Sequence, residues 1–268
     1  MLFSDWSKIM TFLMIHVVVV PFIQHEMLHL TSLPAIFVYH LVAQLLFHRN
    51  INKILASDFR VRYGYLKKDS PRTKLPAVEL KWTKMGGLLG AFFRIATRKF
   101  FIADGQGSRA SFGISPTWIV HYSAYVLLLD FVFYWAHRTQ HEHPFLYKYV
   151  HGKHHRAHLP NVLMTVHDTI FEKFFNTFIQ MCLINWIIPM SFWDLHTTYY
   201  AIHLIEALGH SGIKCHLTNP LMPWLVFCKT ELSIEDHDLH HRKLRGNYGK
   251  QTLVWDVLFG TNLPRIET

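Results

Sequence analysis

Long apolar runs constrain this chain most, because an ordinary soluble domain could not bury them all. The run from Ile114 to Ala136, ISPTWIVHYSAYVLLLDFVFYWA, is long enough to cross a bilayer as one helix. Hydrophobic residues make up 50% of the 268 residues and charged residues only 17%, which is unusually apolar for a soluble protein. The sequence therefore predicts an all-α integral membrane protein.

Other apolar runs bring the expected number of transmembrane helices to about four. The run from Ile9 to Leu28 lacks the basic start and the small-residue cleavage site of a signal peptide, so it is predicted to be an anchor. Leu33 to Phe47 is short for a span and fits a re-entrant segment or the return leg of a hairpin. Phe171 to Pro189 and Phe192 to Leu208 are separated by a short turn, which predicts an antiparallel helical hairpin.

Basic residues indicate how the first half lies against the membrane. Arg49 to Lys84 is strongly basic and favours the cytoplasmic side. Gly86 to Ile102 carries three basic residues, which predicts an interfacial helix. The net charge of +9 suits anionic lipid headgroups, and no nucleic-acid partner is expected. Keeping both the basic segment and the residues after Ala136 in the cytoplasm requires one more crossing before Ile114, so the number of crossings there stays open.

These observations predict one membrane domain over residues 1–268. Within it, residues 1–112 would form the anchor helices and the basic loop, and residues 113–268 the catalytic region.

Histidine is the residue type that indicates chemistry, with 21 copies that cluster where the predicted spans end. An i, i+4 pair lies on one face of a helix, and in an HxxHH trio the i and i+3 rings are expected to share a face while the adjacent ring serves a neighbouring centre. The clusters are one HxxxH pair and two HxxHH trios: His137 and His141; His151, His154 and His155; His237, His240 and His241.

The number of clustered rings predicts two metal ions. Imidazole suits iron, zinc, copper or nickel, and a zinc ion takes about three or four protein ligands, so eight rings exceed the needs of one ion. Two ions about 3.5–4 Å apart with open positions can hold a small molecule between them. The three cysteines have no CxxC spacing, so no thiolate site is predicted. At a membrane face, oxygen chemistry on a lipid is the expected use.

Two alternatives without turnover stay open. One is a histidine-rich metal transporter, although a transporter should place ionisable residues along its spans, whereas here they gather at span ends. The other is haem bound between single histidines such as His25 and His40, for which no motif is present.

Four blocks resemble the fatty acid hydroxylase and sterol desaturase superfamily of membrane non-haem di-iron enzymes. They cover roughly Asp130 to Thr261 and read DFVFYWAHRTQH, LYKYVHGKHH, EALGHSG and DHDLHHRKLRGNYGKQTLVWDVLFGT. The resemblance implies a helical membrane fold with a histidine-rich cytoplasmic cap, two irons that reduce O2, and electrons from an NAD(P)H-dependent reductase, often through cytochrome b5. The implied metal ligands are His137, His141, His151, His154, His155, His210, His237, His240 and His241.

The third block departs from the fatty acid hydroxylase pattern. Many members have a histidine four residues before the position of His210, where this chain has Glu206. Glu206 is predicted either to bind metal through its carboxylate or to orient His210 as an acceptor. Asp130, two helical turns before His137 in an apolar run, is predicted to be an acceptor behind the metal ligands.

Several other residues near the blocks have open or structural roles. Whether His158, His167 or His203 are ligands is left open. Glu142, Glu172 and Asp238 are predicted to face solvent or to pair along helices. The glycines of RGNYGK predict a turn that reverses the chain beneath the metal site.

The predicted reaction is O2-dependent hydroxylation of a lipid C–H bond, and desaturation at the same site stays open. The context of EALGHSG is similar to sterol C-4 methyl oxidases and cholesterol 25-hydroxylase, which favours a sterol over a fatty acyl chain. The expected partners are a lipid substrate, the membrane and an electron-transfer protein. The resemblance implies the endoplasmic reticulum in a eukaryote or the inner membrane in a bacterium.

Overall fold

The regular structure of this chain is helical, as the sequence predicts. The computed structural model describes residues 3–19, 33–55, 59–67, 72–101 and 114–267, and within them only two isolated β-bridges depart from helices, turns and loops. The longer helices are α1 (Phe3–Met14), α2 (Leu33–Ile54), α3 (Ala77–Phe101), α4 (Trp118–Glu142), α5 (Gln180–Ile187), α6 (Phe192–Gly209) and α7 (Ile234–Lys243).

Shorter segments connect these helices. Short α-helices are Arg60–Tyr63, Pro144–Leu146, Ile170–Lys173, Trp224–Phe227 and Val254–Leu258. Turns with π-helical hydrogen bonding are Ile15–Val19, Tyr147–His151 and Phe174–Ile179, and 3-10 turns are His154–Arg156 and Val162–Val166.

Helix α4 is the one described helix that is long and apolar enough to cross a membrane, with a mean hydropathy of 1.4. It starts four residues later than the predicted run and continues past Ala136 to Glu142, so it carries His137 and His141 as expected. Residues 86–101 of the predicted interfacial run lie in α3, which begins nine residues earlier, at Ala77. Residues 20–28 of the predicted anchor lie outside the described residues.

Helix α6 is the centre of the fold because nearly all of its side chains are buried and its polar residues do not gather on one face. Tyr200 and Leu204 pack in a core with α1 and α2, while Leu195 and Tyr199 pack in a second core with α4 and α5. A helix with no polar face is expected to be buried. The end of α6 therefore holds His210 inside the protein.

Helix α7 is polar yet buried, so its charges need partners. The Asp236 carboxylate accepts from the backbone N–H of Ser233 at 2.7 Å and from the Arg265 guanidinium at 2.7 Å. Asp238 pairs with Arg242 at 2.9 Å, which is the helix pairing expected for it, and also with Arg72 at 2.5 Å. Asp238 is nonetheless fully buried and does not face solvent. Ion pairs with Arg72, Arg242 and Arg265 thus compensate the burial of the α7 carboxylates.

Asp130 joins α4 to the loop that follows α7. Its Oδ1 accepts from the backbone N–H of Lys250 at 2.7 Å and of Gln251 at 2.9 Å. Its Oδ2 accepts from the backbone N–H of Thr252 at 3.0 Å and from its hydroxyl at 2.6 Å. This carboxylate fixes the position of the loop relative to α4.

We expect Asp130→Asn to destabilise the protein. The amide cannot accept from all four donors, and a buried donor without an acceptor costs on the order of 1–3 kcal/mol. For a chain of this length, 1 kcal/mol corresponds to roughly 2–4 °C. The thermal midpoint in detergent should therefore fall by several degrees.

Glu142→Gln is the matched control on the same helix. The Glu142 side chain is 55% exposed and pairs with Arg138 at i, i+4, an interaction worth about 0.5 kcal/mol or less. Equal midpoints for the two variants would contradict the structural role assigned to Asp130.

Candidate metal centre

Nine buried or half-buried histidines converge into two adjacent groups. Within each group, one ring nitrogen per residue lies within 4.8 Å of the others. Group A is His137, His141, His151, His155 and His240; group B is His154, His210, His237 and His241. All nine histidines that the resemblance implied as ligands lie in these groups.

The Nε2 atoms of group A face one another. His137 and His151 approach to 2.8 Å, and His151 and His155 also to 2.8 Å. His141 lies 3.2 Å from His137, and His240 lies 3.2 Å from His155. Helix α4 and the turns between residues 147 and 156 therefore meet the distant helix α7 at one point.

Group B is smaller and touches group A. The Nε2 atom of His210 lies 3.3 Å from that of His154 and 3.0 Å from that of His237. The His241 ring lies 4.8 Å from the His237 ring and 4.6 Å from the His155 ring of group A, between centroids. The two groups thus form one continuous centre.

Each HxxHH trio divides between the two groups. The prediction that the i and i+3 rings act together was wrong. The rings that converge are at i and i+4: His151 with His155 in group A, and His237 with His241 in group B. The middle ring of each trio, His154 or His240, belongs to the opposite group.

Backbone geometry is the reason for this division. In α7, the i+3 residue His240 points across to group A. In the first trio, the helix does not continue, since the Gly152 N–H donates to Tyr147 at 2.6 Å and ends the π-helical turn before a 3-10 turn begins. Each trio therefore contributes to both groups.

Hydrogen bonds at the Nδ1 atoms hold the rings in place. Those of His137, His240 and His210 donate to the backbone carbonyls of Tyr248, Gly246 and Glu206, each at 2.8 Å. Because a carbonyl only accepts, the proton of each neutral ring is on Nδ1, and Nε2 presents a lone pair.

This arrangement fits metal ions. Burial, with a contribution from neighbouring rings, lowers the pKa of His155, His237 and His241 well below the usual value, and lowers that of His210 to about 3. Neutral rings with their lone pairs directed at one another repel at hydrogen-bonding distance, and a shared cation removes the repulsion. A second hydrogen bond at the other nitrogen is also typical of metal-bound histidine.

Two carboxylates lie beside the Nδ1 atoms of histidines in the groups, a role that the sequence predicted for neither of them. Glu172, predicted to face solvent or to pair along a helix, is buried and accepts from Nδ1 of His151 at 2.5 Å, so that prediction was wrong. Asp168 lies 3.2 Å from Nδ1 of His154 and also pairs with Lys173. The position of Glu172 at the start of an apolar run is the sequence feature that could have indicated that its carboxylate is buried.

The RGNYGK turn lies where it was predicted. Gly246 and Asn247 both have positive φ, at 66° and 51°. This reversal brings the carbonyls of Gly246 and Tyr248 beneath the rings of His240 and His137.

Glu206 and Asp130 lie beside the centre. The Glu206 carboxylate is outside both groups and forms an ion pair with Lys250 at 2.9 Å, while its backbone carbonyl orients His210. Asp130 holds the 250–252 loop next to the carbonyl of Tyr248.

The three histidines left open are not members of either group. His158 is exposed, His167 lies 2.7 Å from the hydroxyl of Thr83, and His203 lies 3.4 Å from the Glu206 carboxylate. The side chains of His25 and His40, which the haem alternative requires, are outside the described residues.

A cavity of about 80 Å³ borders both groups. His137 and His151 of group A and His154, His210 and His237 of group B line it. The rest of its wall includes Gly86, Gly87 and Gly90 of α3 and the apolar side chains of Phe133, Met181 and Ile205. A small molecule in this cavity would contact both groups at once.

Known proteins similar to this chain carry names from lipid metabolism. It is 34% identical over 226 residues to fatty acid hydroxylase vlmA of Lecanicillium sp, which is 77% of this chain and 60% of that protein. It is 26% identical over 200 residues to methylsterol monooxygenase erg25B of Aspergillus fumigatus, covering 70% and 65% of the two chains. It is 26% identical over 153 residues to a Delta(7)-sterol-C5(6)-desaturase of Nicotiana tabacum, covering 56% and 52%.

The chain thus spans between about half and two thirds of the length of these relatives. No solved structure matches it. Residues 122–261, about half of the chain, match the family model described as fatty acid hydroxylase, and this range contains every histidine of groups A and B. The chain therefore belongs to the fatty acid hydroxylase family.

Proposed function

We propose that this chain is a membrane-bound oxidoreductase that uses O2 and two non-haem irons to hydroxylate a C–H bond of a lipid. The observation that carries the proposal is the pair of adjacent buried groups whose Nε2 lone pairs converge beside one cavity. Family membership and the names of the relatives support a lipid as the substrate.

Some residues of the centre would bind metal, and others shape the cavity beside it. Group A would hold one iron and group B the other. The chemistry that bound irons supply is reductive activation of O2 and attack on an unactivated C–H bond. The chain's own contribution is rings pinned at Nδ1, which limits their reorientation, and a cavity whose apolar side chains keep water from the reacting carbon.

The same proposal places the protein in a membrane with about four spans and the histidine groups in a cytoplasmic cap. Outward-facing apolar side chains support this, since Phe171 is 66% exposed and Trp186 is 74% exposed in the predicted hairpin. Soluble proteins seldom expose contiguous apolar surface of this kind. The membrane would be the endoplasmic reticulum or a bacterial inner membrane, where an NAD(P)H-dependent reductase, through cytochrome b5 where present, supplies electrons.

We propose a sterol in preference to a fatty acyl chain, with desaturation as the alternative outcome at the same site. The methylsterol monooxygenase and the sterol desaturase among the relatives support the sterol, and vlmA is named for fatty acids. Lipid profiling of cells with and without the chain tests the reaction. A lipid heavier by one oxygen indicates hydroxylation, a lipid lighter by two hydrogens indicates desaturation, and unchanged lipids contradict both.

The metal content of the purified protein tests the proposed centre. The purified protein should hold about two equivalents of iron after anaerobic loading. Because each imidazole fills a coordination position, His240→Ala in group A and His237→Ala in group B should each lower iron content and abolish most turnover. Elemental analysis with single-turnover assays measures both.

His158→Ala is the control, since His158 is exposed and outside both groups. It should keep iron and activity at the level of the unaltered protein. One haem per chain, or no bound transition metal, would count against the proposed centre, and a fully loaded, active His240→Ala variant would remove His240 from the ligand set.

Replacing Glu172 tests the hydrogen bond that its carboxylate accepts from His151. Glu172→Gln should lower iron affinity or activity on the order of 10- to 100-fold, the usual effect of losing an outer partner of a metal-bound histidine. Iron affinity by chelator competition is the measurement. Glu142→Gln is the exposed control; if it lowers affinity as much, the effect on Glu172 is not specific to the centre.

A further inference from the structure

An ion pair lies on the wall of the cavity that the two histidine groups share. Nζ of Lys250 lies 2.9 Å from Oε1 of Glu206, and Nδ1 of His203 lies 3.4 Å from Oε2. The side chains of Glu206 and Lys250 are 9% and 20% exposed, and all three residues line the cavity.

The fold does not need this pair to position its parts. The backbone of the Lys250 loop is already held by Asp130, and the neighbouring α6 side chains Ile202 and Ile205 pack in apolar cores. Replacing a buried ion pair with apolar residues of similar size is often neutral or stabilising. A charged pair on the cavity wall therefore indicates that this part of the wall binds a polar group of a ligand.

The pair lies close to group A. Nζ of Lys250 is 4.9 Å from the centre of the Phe133 ring, and that ring is 4.9 Å from the ring of His137. One aromatic ring thus separates the charges from a histidine of group A. A polar group bound by the pair would lie in the same cavity as the histidine groups.

The chemistry of the pair selects one kind of polar group. An ammonium has three donors, and a carboxylate accepts on both oxygens. A hydroxyl both donates and accepts, so a single hydroxyl can donate to Glu206 while accepting from Lys250. A hydrocarbon would offer neither charged group a hydrogen bond.

We propose that Glu206 and Lys250 bind a hydroxyl group of the lipid, so that the substrate is a hydroxyl-bearing lipid whose hydroxyl and oxidised carbon lie in the same cavity. The inference rests on the proposed function for its reaction, but the binding subsite is a property of the cavity itself. It assigns a substrate role to the one position where the sequence departs from the fatty acid hydroxylase pattern.

Matched lipids test the inference on the full chain in detergent. The probes are cholesterol with cholest-5-ene, which lacks the hydroxyl, and 1-octadecanol with octadecane. Binding is measured by competition with a fluorescent sterol, with and without iron, and products by mass spectrometry. In the pair that fits the cavity, the hydroxyl-bearing lipid should bind on the order of 10- to 100-fold more tightly, as expected for a hydrogen bond to charged groups.

The double variant Glu206→Leu with Lys250→Met removes both charges and leaves no buried charge unpaired. It should keep its iron and bind the two members of each pair equally. Glu206→Gln, which retains one acceptor, is the second variant and should lower the preference severalfold. Lys214→Met, at an exposed lysine, is the control and should keep the preference.

The outcomes separate the inference from the proposed function. Equal binding of hydroxylated and unhydroxylated probes by the unaltered protein overturns the inference even if products form. Loss of iron in the double variant would assign Glu206 to the metal centre and also overturn it. A hydroxyl preference in binding with no iron and no product supports the subsite and overturns the proposed reaction.

Discussion

The centre depends on hydrogen bonds at the Nδ1 atoms of four of its histidines, His137, His151, His210 and His240. Without a fixed acceptor at Nδ1, each imidazole could rotate or exchange its tautomer and avoid its neighbours. The carbonyls of Gly246 and Tyr248 prevent this for His240 and His137. The protein thereby holds the Nε2 lone pairs so close together that they repel one another, and a bound cation would remove this repulsion.

The rest of the fold keeps those acceptors in place. Asp130 fastens the loop behind Tyr248 to α4, and Arg265 clamps the start of α7 through Asp236. Helix α6, buried on all sides, fixes the position of His210. A rigid outer layer of this kind is what a metal site requires, because small displacements of ligands lower affinity and activity together.

The cavity wall combines residues inside and outside the range that matches the family. The histidines lie on turns and helix ends that the family match covers, whereas part of the wall comes from α3, outside that match. At Gly87 of α3, an added Cβ would meet nothing within 4 Å. This wall position therefore has room for a larger side chain without a clash, while the histidine groups stay unchanged.

The sequence by itself determined the helical class, the continuation of α4 through His137 and His141, the turn at Gly246, and the clustering of eight of the nine histidines that meet, whereas His210 was expected only from the family resemblance. These features depend on apolar periodicity, spacing and glycine, which act over a few residues. Only the tertiary structure decided how the trios divide between the groups, that Glu172 accepts from His151, and that Glu206 pairs with Lys250. Those contacts join residues from different segments, so helix ends and packing, not local spacing, set them.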